Sequence, residues 1–366
     1  MSMLNLDRIS APQPIIDKLK DLSSSICFDK QSRKGSNGWL FFGINIIHKQ
    51  RVAVKFYDWG GDPQFHAEPQ RLALLDSENI ISILDAALVN EDYAYFVTPF
   101  YQRGDLDDEL MRGIHGNLRA ISMVRDVLSG LSHLHAARLL HRDLKPQNIL
   151  LNDDDRAVIG DFGSVKHLPE GHSTVPGSGH SLIYRPPESI QHNLYGIAGD
   201  IYQVGMLLYQ LLGGKLPYEE TAWLNKHQLR KYWEITDPVD RQLFATNIIE
   251  DKIKRGQIID LSTLPPWVCQ KIRRTISKSC NLNPEKRYKT CSEFLAHITK
   301  IRPYIHDWRI EDGFPTCYNG KIYRIVTDRR GMNRIQKKVS GTWRFDNSFT
   351  GRTVEELVTE IEQKIC

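Results

Sequence analysis

The sequence has few cysteines, no long apolar run and little net charge. Six cysteines occur among 366 residues, without the close pairs of a disulfide-rich secreted domain, so we expect free thiols in a reducing compartment. The longest apolar stretches fall short of the roughly 20 residues that a transmembrane helix needs, and no apolar leader is visible near the N-terminus. The net charge of +4 is too small to predict general binding to nucleic acid. The composition therefore predicts a cytoplasmic protein without a membrane anchor.

Three of the cysteines, Cys269, Cys280 and Cys291, recur at intervals of eleven residues. One continuous helix would place them on a single face, where a metal ion would find several sulfur ligands. Asn283 and Pro284 interrupt such a helix, because proline lacks the amide hydrogen and clashes with the preceding turn. We therefore expect buried free thiols at these positions rather than a metal site.

What the sequence does contain is an ordinary globular composition in a long chain. Hydrophobic residues make up 41% and charged residues 25%, close to average usage, which disfavours a disordered or fibrous protein. At 366 residues the chain exceeds the size at which one hydrophobic core usually suffices. We expect two lobes and an appendage.

The first chemical signal is a lysine inside an apolar strand. β-Branched and aromatic residues predict three strands near the N-terminus. These strands are 26–31, 39–48 and 51–57. The glycine-bearing turn at 32–38 is most often a plain hairpin, although its amides would also suit a phosphate. Lys55 ends the run Val52-Ala53-Val54-Lys55, and burying its ammonium is costly unless anions such as phosphates receive it.

The strongest signal is a pair of motifs further along the chain. Residues 141–150 read His-Arg-Asp-Leu-Lys-Pro-Gln-Asn-Ile-Leu, and residues 160–163 read Gly-Asp-Phe-Gly. Asn148 follows Asp143 by five residues, and Asp161 follows it by eighteen. Any one of these residues alone would most often be a turn former or a helix cap. Together they resemble the catalytic loop and the metal-binding triplet of the protein kinase family.

The resemblance to protein kinases extends from about residue 24 to residue 300. Val52-Ala53-Val54-Lys55 matches the family's third strand. Gly35 and Gly38 match the second and third glycines of its phosphate-binding loop, with Arg33 in place of the first. The implied fold class is α+β: a bilobal kinase fold with a small antiparallel β lobe carrying one helix, a larger helical lobe, and a small C-terminal β/α module.

The resemblance implies an ATP site. Lys55 would bind the phosphates and pair with Glu68, which precedes Pro69 at the start of the next helix. Thr98 would lie at the back of the adenine pocket. The residues implied for nucleotide binding are Gly35, Gly38, Leu40, Ala53, Lys55, Glu68, Thr98, Leu150 and Asp161.

The resemblance also implies a catalytic group formed by Asp143, Lys145 and Asn148. Asp143 would accept the hydrogen bond of an incoming hydroxyl, and Lys145 would steady the transferred phosphoryl group. Asn148 and Asp161 would hold Mg²⁺, or Mn²⁺ in its place, because carboxylate and amide oxygens suit hard cations.

Specificity is indicated by the residues around this loop. Lys145 and Ser181 match serine/threonine kinases, in which a hydroxyl bridges the catalytic aspartate and lysine, and make tyrosine specificity the minority interpretation. Lys145-Pro146 favours protein substrates over the small molecules of aminoglycoside and choline kinases. Two alternatives stay open. One is a catalytically weak scaffold with the kinase fold, and the other is a polyanion-binding protein whose basic C-terminal module is the main activity.

The resemblance further implies contacts that frame the active site. Glu188 would pair with Arg287, and Asp200 would hold the catalytic loop from below. Arg142 precedes the catalytic aspartate, so a phosphate on the following segment would form charge-assisted hydrogen bonds with it. The candidate phosphate acceptors in that segment are Ser173, Thr174 and Ser178.

The predicted domains are an N-terminal extension at 1–23, a kinase N-lobe at 24–98, a C-lobe at 99–301 and an accessory module at 308–366. The C-lobe contains an insertion around 219–265, which we interpret as two extra helices or, alternatively, as a partner-docking surface.

The accessory module is predicted to contain strands at 323–326 and 334–339 and a helix at 353–365. Thr353 and Glu356 form a capping box, ahead of an apolar stripe at helical spacing. Residues 302–344 include ten lysines and arginines and four acidic residues, interleaved with aromatic side chains. Such a face can bind a polyanion or another partner, and it can equally be a solvated sheet face.

Overall fold

The computed structural model describes residues 4–32, 38–59, 70, 73, 75–113, 116–177 and 181–365. The chain divides into two compact units. The first comprises Met1–Gly104 and Asn148–Val165, and the second comprises Asp105–Gln147 and Lys166–Cys366.

The first unit is built on a five-stranded antiparallel sheet. Its strands lie in the order β1, β2, β3, β5, β4. Their bounds are β1 Ile26–Gln31, β2 Trp39–Asn45, β3 Arg51–Asp58, β4 Asp85–Leu88 and β5 Tyr93–Pro99. The three strands predicted near the N-terminus are confirmed, except that β2 ends three residues early. Asn45 causes that end, because its side chain accepts hydrogen bonds from the amides of Ile47 and His48 and closes a turn.

A helix that the sequence analysis left unpredicted packs on this sheet. Helix α1 (Gln13–Leu22) begins with proline in its first turn, where the missing amide has no partner to lose. Its buried residues Ile15 and Leu19 belong to the same core as Phe41 and Val54 of the sheet. The hydrophobic core of the first unit therefore lies between α1 and one face of the sheet. The opposite face does not contribute to this core.

A hairpin completes the first unit. Strands β7 (Ile149–Leu151) and β8 (Ala157–Ile159) pair with each other, and Ile159 forms a bridge with Ile80. The side-chain amide of Asn79 donates to the carbonyl of Ala157 at 3.0 Å. These bonds attach the motif-bearing hairpin to the unit that contains Lys55.

The second unit is mainly helical. Its helices up to residue 301 are α2 Leu106–Arg112, α3 Asn117–Ala136, α4 Pro187–His192, α5 Ile197–Leu211, α6 Lys226–Glu234, α7 Pro238–Lys254, α8 Gln270–Ser279 and α9 Cys291–Ile301. Two short strand pairs accompany them: β6 Leu139–Leu140 with β9 Lys166–His167, and β10 Val175–Pro176 with β11 Leu194–Tyr195. Helix α5 is buried along nearly its whole length and packs against α3 and α8, so it forms the centre of this unit.

The insertion contains the two predicted helices, α6 and α7. Asn225 caps α6 in a reciprocal capping box with Gln228. Asp237 caps α7, and Pro238 occupies the first helical position. Local sequence signals therefore define both helices.

The region of the regularly spaced cysteines is interrupted as predicted. Helix α8 ends at Ser279, Pro284 begins a short 3-10 turn, and α9 begins at Cys291. The described cysteines are all free, and burial raises the pKa of the Cys280 thiol to about 12. None of the helices in the described ranges is both long enough and apolar enough to cross a membrane.

The C-terminal module is an antiparallel meander of five strands covered by one helix. The strands pair in sequence order, and the helix is α10 Val354–Ile365. Their bounds are β12 Asp307–Glu311, β13 Phe314–Asn319, β14 Lys321–Thr327, β15 Asn333–Val339 and β16 Thr342–Phe345. The two predicted strands, the helix and its Thr353–Glu356 capping box are confirmed. Three further strands were not predicted, because they are short or interrupted by polar residues.

Trp308 joins this module to the rest of the second unit. It is fully buried, stacks on Trp267 with ring centroids 6.1 Å apart, and donates to Glu362 at 2.9 Å. Asn117 at the start of α3 donates to the carbonyls of Trp267 and His306. A Cβ atom on Gly116 would lie 2.7 Å from the Trp308 carbonyl, so only glycine permits this close approach.

Candidate active site

One face of the sheet in the first unit carries the predicted nucleotide-binding residues. Strand register pairs Leu40 with Lys55 and Ala53 with Thr98. Because opposite residues share a face and the side-chain period is two, all four point to the same side of the sheet. Phe41 and Val54 point the other way, into the core against α1. The alternation thus separates stabilising residues from the candidate site.

Gly38 is required by the backbone at the start of β2. Its φ of +123° is strained for any residue with a side chain, and a Cβ atom there would lie 2.1 Å from the Phe56 carbonyl oxygen. Gly35, Arg33 and Glu68 lie outside the described residues.

Lys55 contacts an acid of the Gly-Asp-Phe-Gly motif. Its ammonium nitrogen lies 3.5 Å from Oδ1 of Asp161, and its side chain is 20% exposed. It also lies over the Phe96 ring, 5.6 Å from the centroid. Asp161 has a left-handed backbone with φ 53° and a side chain that is 45% exposed. A partly buried lysine therefore faces an accessible carboxylate, as a phosphate and cation site requires.

The β7–β8 hairpin brings Asn148 next to Asp161. The amide of Gly160 donates to the Asn148 carbonyl at 2.8 Å, which extends the strand pairing beyond Ile149 and Ile159. Asn148 and Asp161 therefore flank the same end of the hairpin. Leu150 is half-buried on β7. An amide oxygen and a carboxylate are hard ligands, so this pair fits Mg²⁺ or Mn²⁺ by its donor chemistry.

The second unit holds the remaining predicted catalytic residues. Lys145 donates to Oδ2 of Asp143 at 2.9 Å and to the Ser181 hydroxyl at 2.7 Å. Asp143 is only 4% exposed. Lys145 thus links the catalytic loop to the segment that ends at Glu188. Its bond to Ser181 is one of the two contacts of the predicted hydroxyl bridge.

The buried carboxylate of Asp200 holds the backbone of the catalytic loop. It accepts hydrogen bonds from the amides of His141 at 3.0 Å and Arg142 at 2.9 Å, which confirms its predicted position below the loop. It also accepts from the Tyr195 hydroxyl at 2.8 Å. Gln203, one turn further along α5, accepts from the Leu144 amide at 2.9 Å. Both acceptors lie on the most buried helix of the unit.

His135 completes this buried network. Its Nε2 lies 2.8 Å from Asp200 and its Nδ1 lies 3.4 Å from the Cys291 sulfur. Burial disfavours the charged imidazole, but the hydrogen bonds to Asp200 and Cys291 outweigh it and raise the pKa of His135 to about 10. Burial likewise opposes ionisation of Asp200, whose pKa is nevertheless lowered by His135. We infer an ionised pair at neutral pH.

Sequence reasoning missed His135, Tyr195 and Gln203. Gln203 lies three residues after Asp200, so helical spacing alone would have placed the two on one face of α5. No comparable signal exists for His135 or Tyr195, which reach Asp200 from separate elements.

The predicted Glu188–Arg287 pair is confirmed. Arg287 donates through both terminal nitrogens to the two oxygens of Glu188, at 2.7 and 2.8 Å. Its side chain is fully buried and also donates to the carbonyls of Ala198 and Asn281. We call residues 161–188 the activation segment. The bidentate geometry anchors the end of this segment to the body of the unit.

Arg142 is held by backbone carbonyls of the activation segment. Its Nη2 donates to Pro176 at 3.1 Å and to Gly177 at 2.8 Å. Ser173 and Thr174 precede this contact in the sequence, and Ser178 lies outside the described residues. Arg142 therefore already binds the segment that contains two of the predicted phosphate acceptors.

The first unit holds a lysine that faces a carboxylate, and the second unit holds a lysine that donates to an aspartate and to a serine hydroxyl. Side chains of these kinds are used in phosphoryl transfer. The family profile described as the protein kinase domain matches residues 32–298. The chain belongs to the protein kinase family.

Three similar proteins from bacteria and yeast are named as serine/threonine-protein kinases. The chain is 29% identical over 205 residues to serine/threonine-protein kinase PknL of Mycobacterium tuberculosis, covering 54% of this chain and 51% of PknL. It is 31% identical over 272 residues to serine/threonine-protein kinase PrkC of Bacillus subtilis, covering 71% of this chain and 38% of PrkC. It is 35% identical over 249 residues to serine/threonine-protein kinase GIN4 of Saccharomyces cerevisiae, covering 67% of this chain and 19% of GIN4. The chain thus spans about half the length of PknL and less of the other two.

Proposed function

We propose that this chain transfers the γ-phosphate of ATP to serine and threonine hydroxyls of protein substrates. The observation that carries the proposal is the contact of Lys145 with both Asp143 and Ser181. This contact supports the proposal because it joins a cation, which can stabilise phosphoryl charge, to a carboxylate that can accept a proton. The serine/threonine designation of the similar kinases supports the choice of acceptor.

Asp143 acts on the incoming hydroxyl. It orients the substrate oxygen toward the γ-phosphorus and receives the hydroxyl proton. The new oxygen–phosphorus bond forms as the bond from the γ-phosphorus to the bridging oxygen breaks, and ADP leaves. Lys145 stabilises the charge on the transferred group, and the Ser181 hydroxyl holds Lys145 in place.

The first unit binds the nucleotide. Lys55 contacts its phosphates, and Leu40, Ala53, Thr98 and Leu150 surround the adenine, with Gly38 permitting close approach of the backbone. Gly35 and Glu68 are assigned to the same site from the sequence. Asn148 and Asp161 would hold Mg²⁺ or Mn²⁺, which would supply positive charge to neutralise phosphate oxygens.

The domain division proposed here follows the sequence: an N-terminal extension at 1–23, an N-lobe at 24–98, a C-lobe at 99–301 with its insertion, and a module at 308–366. The protein substrate is the main partner, and the module provides a second binding surface. The free thiols of the described cysteines support a cytoplasmic location.

Phosphoamino-acid analysis tests the function. The full chain is incubated with γ-labelled ATP, Mg²⁺ and a mixture of proteins, and the hydrolysed products are separated. We expect phosphoserine and phosphothreonine, and label found only in phosphotyrosine would refute the assignment. In a separate sample the chain alone is incubated with ATP, and mass spectrometry of its proteolytic peptides locates phosphate in the activation segment. Added phosphate at Ser173, Thr174 or Ser178 is expected, because Arg142 would bind it in place of backbone carbonyls.

A further inference from the structure

The outward face of the C-terminal sheet carries cations and aromatic rings in two neighbouring rows. Arg334 and Lys338 lie four residues apart on one face of β15. Arg324 of β14 is the register partner of Gln336, which lies between them. Trp343 and Phe345 lie on the adjacent edge strand β16 and pair in register with Lys338 and Gln336. We call the set Arg324, Arg334, Lys338, Trp343 and Phe345 the basic aromatic face.

The cations of this face are fixed by neutral groups. The Arg324 guanidinium lies between two rings, 4.2 Å from the centroid of Trp343 and 5.1 Å from that of Phe314, and its Nε donates to Gln336 at 2.8 Å. Arg334 lies 4.3 Å from the centroid of Phe345, and Lys338 lies 5.3 Å from that of Trp343. Stacking of this kind orders long side chains before any ligand arrives.

No carboxylate of the described part of the chain lies within 4 Å of the three cations. Asp328 accepts hydrogen bonds from the amides of Met332 and Arg330, which lower its pKa, and Arg334 makes a smaller contribution. The acids on the strands that share this side of the sheet are on β12, the edge strand opposite β16. There Asp307 pairs with Arg309, and Glu311 accepts from Tyr318. The positive charge on β14 and β15 is therefore available to a polyanion.

We propose that the basic aromatic face binds single-stranded nucleic acid. Residues on one face of a strand recur about every 6.6 Å. Arg324 is the register partner of Gln336, midway between Arg334 and Lys338, so the three cations follow one another at an interval comparable to that of successive phosphates in an extended strand. The rings of Trp343 and Phe345 repeat with the same spacing on the next strand. Phosphates would lie along the cationic row and bases would stack on the aromatic row.

An acidic peptide fits this face less well. It would pair with the three cations, but it has no groups that require an aromatic row beside them. Phe345 is 49% exposed on an edge strand and contributes little to the module's core. This binding is independent of phosphoryl transfer, because none of the five residues belongs to the proposed active site.

Fluorescence anisotropy with the full chain tests the proposal, using a labelled oligothymidylate of about 15 nucleotides as the probe. For three phosphate contacts, the logarithm of the association constant should fall with the logarithm of salt concentration with a slope of roughly −2. The variant Arg334→Gln/Lys338→Gln should weaken binding by at least about tenfold, and Phe345→Ala should also weaken it by about tenfold.

The chain offers a matched control. Lys337 and Arg344 are register partners on the same two strands but point to the opposite face. Lys337→Gln/Arg344→Gln removes the same charge and should leave affinity within about twofold. Equal weakening by the control, competition by polyglutamate as strong as by unlabelled oligothymidylate, or no binding at low salt would each overturn the proposal. Melting temperatures of all variants check that the module stays folded.

Discussion

Lys145 and Lys55 show how much of the chemistry depends on single side chains. Lys145 joins two acceptors from different segments, at 2.9 and 2.7 Å, and is 24% exposed. Lys55 stands on an apolar strand and meets Asp161 at 3.5 Å. Each cation is held at one position by its neighbours, so its loss should affect catalysis more than folding.

Ser181→Ala should lower kcat roughly tenfold, because the hydroxyl that fixes Lys145 makes a hydrogen bond to a charged group. Ser181→Thr should retain most of the activity, because it keeps that hydroxyl. Steady-state kinetics with a protein substrate, read together with the melting temperature, makes the comparison. Equal activity of the alanine and threonine variants would show that the contact has no catalytic role.

Lys55→Met should lower kcat/KM for ATP by about 100-fold or more, because the phosphates lose a preorganised cation. Lys30→Met is the control, since Lys30 is an exposed lysine on β1 of the same sheet. Initial rates at varied ATP concentration distinguish the two variants. A similar loss in both would mean that the sheet was disturbed rather than the site.

Residues in motifs were predictable, and only some of their partners were. Asp143, Lys145, Asn148 and Asp161 follow from fixed spacing along the chain. His135 was missed because its partner Asp200 lies 65 residues away, and nothing local distinguishes it from any other histidine at the end of a helix.

At the scale of elements, the buried pair of Glu188 and Arg287 connects α4 to the 3-10 turn before α9. Arg287 makes four hydrogen bonds from a side chain without exposed surface. A buried ion whose partner is removed keeps its desolvation cost without compensation. This contact should therefore govern the stability of the second unit.

Arg287→Met should lower the free energy of unfolding by about 3–5 kcal/mol, because it leaves Glu188 without its cation. Lys289→Met removes a neighbouring ion pair with Glu285 in which both side chains are mostly exposed, so its free energy of unfolding should stay close to that of the wild type. Urea denaturation followed by circular dichroism compares them. Similar midpoints for the two variants would contradict the importance of burial.

Elements with strong periodicity or caps were predictable from the sequence, and the rest were not. The capping boxes of α6 and α10 and the apolar runs of β1 and β3 are local signals. Helix α1 went unpredicted because only Ile15 and Leu19 are deeply buried in a largely polar segment. Strand β16 has four residues and is defined by its pairing with β15, which no local pattern specifies.

At the scale of the whole molecule, the buried His135–Asp200 pair should make stability depend on pH. The folded pKa of His135, about 10, lies above its ordinary value of 6.5, so its contribution is fully present below pH 6.5 and is lost as pH rises through 10. The lowered pKa of Asp200 gives a contribution that is present above pH 3.8 and is lost in acid. The pair therefore stabilises the fold most between pH 3.8 and pH 6.5.

The free energy of unfolding should fall between pH 6.5 and 10 more steeply in the wild type than in His135→Gln, which keeps a hydrogen-bond donor but cannot titrate. Urea denaturation at several pH values gives both slopes, and the comparison cancels the titration of other groups. Parallel slopes would show that His135 stays neutral in the folded protein.

The central claim is that Asp143 supports phosphoryl transfer to protein hydroxyls. The most direct measurement is the initial rate of γ-phosphate transfer from labelled ATP to protein by the wild type and by Asp143→Asn, which preserves side-chain shape. Melting temperatures should agree between the two proteins. The variant should transfer phosphate at least about 100-fold more slowly than the wild type. Equal rates in the two proteins would contradict the assignment of this chain as a kinase that uses Asp143.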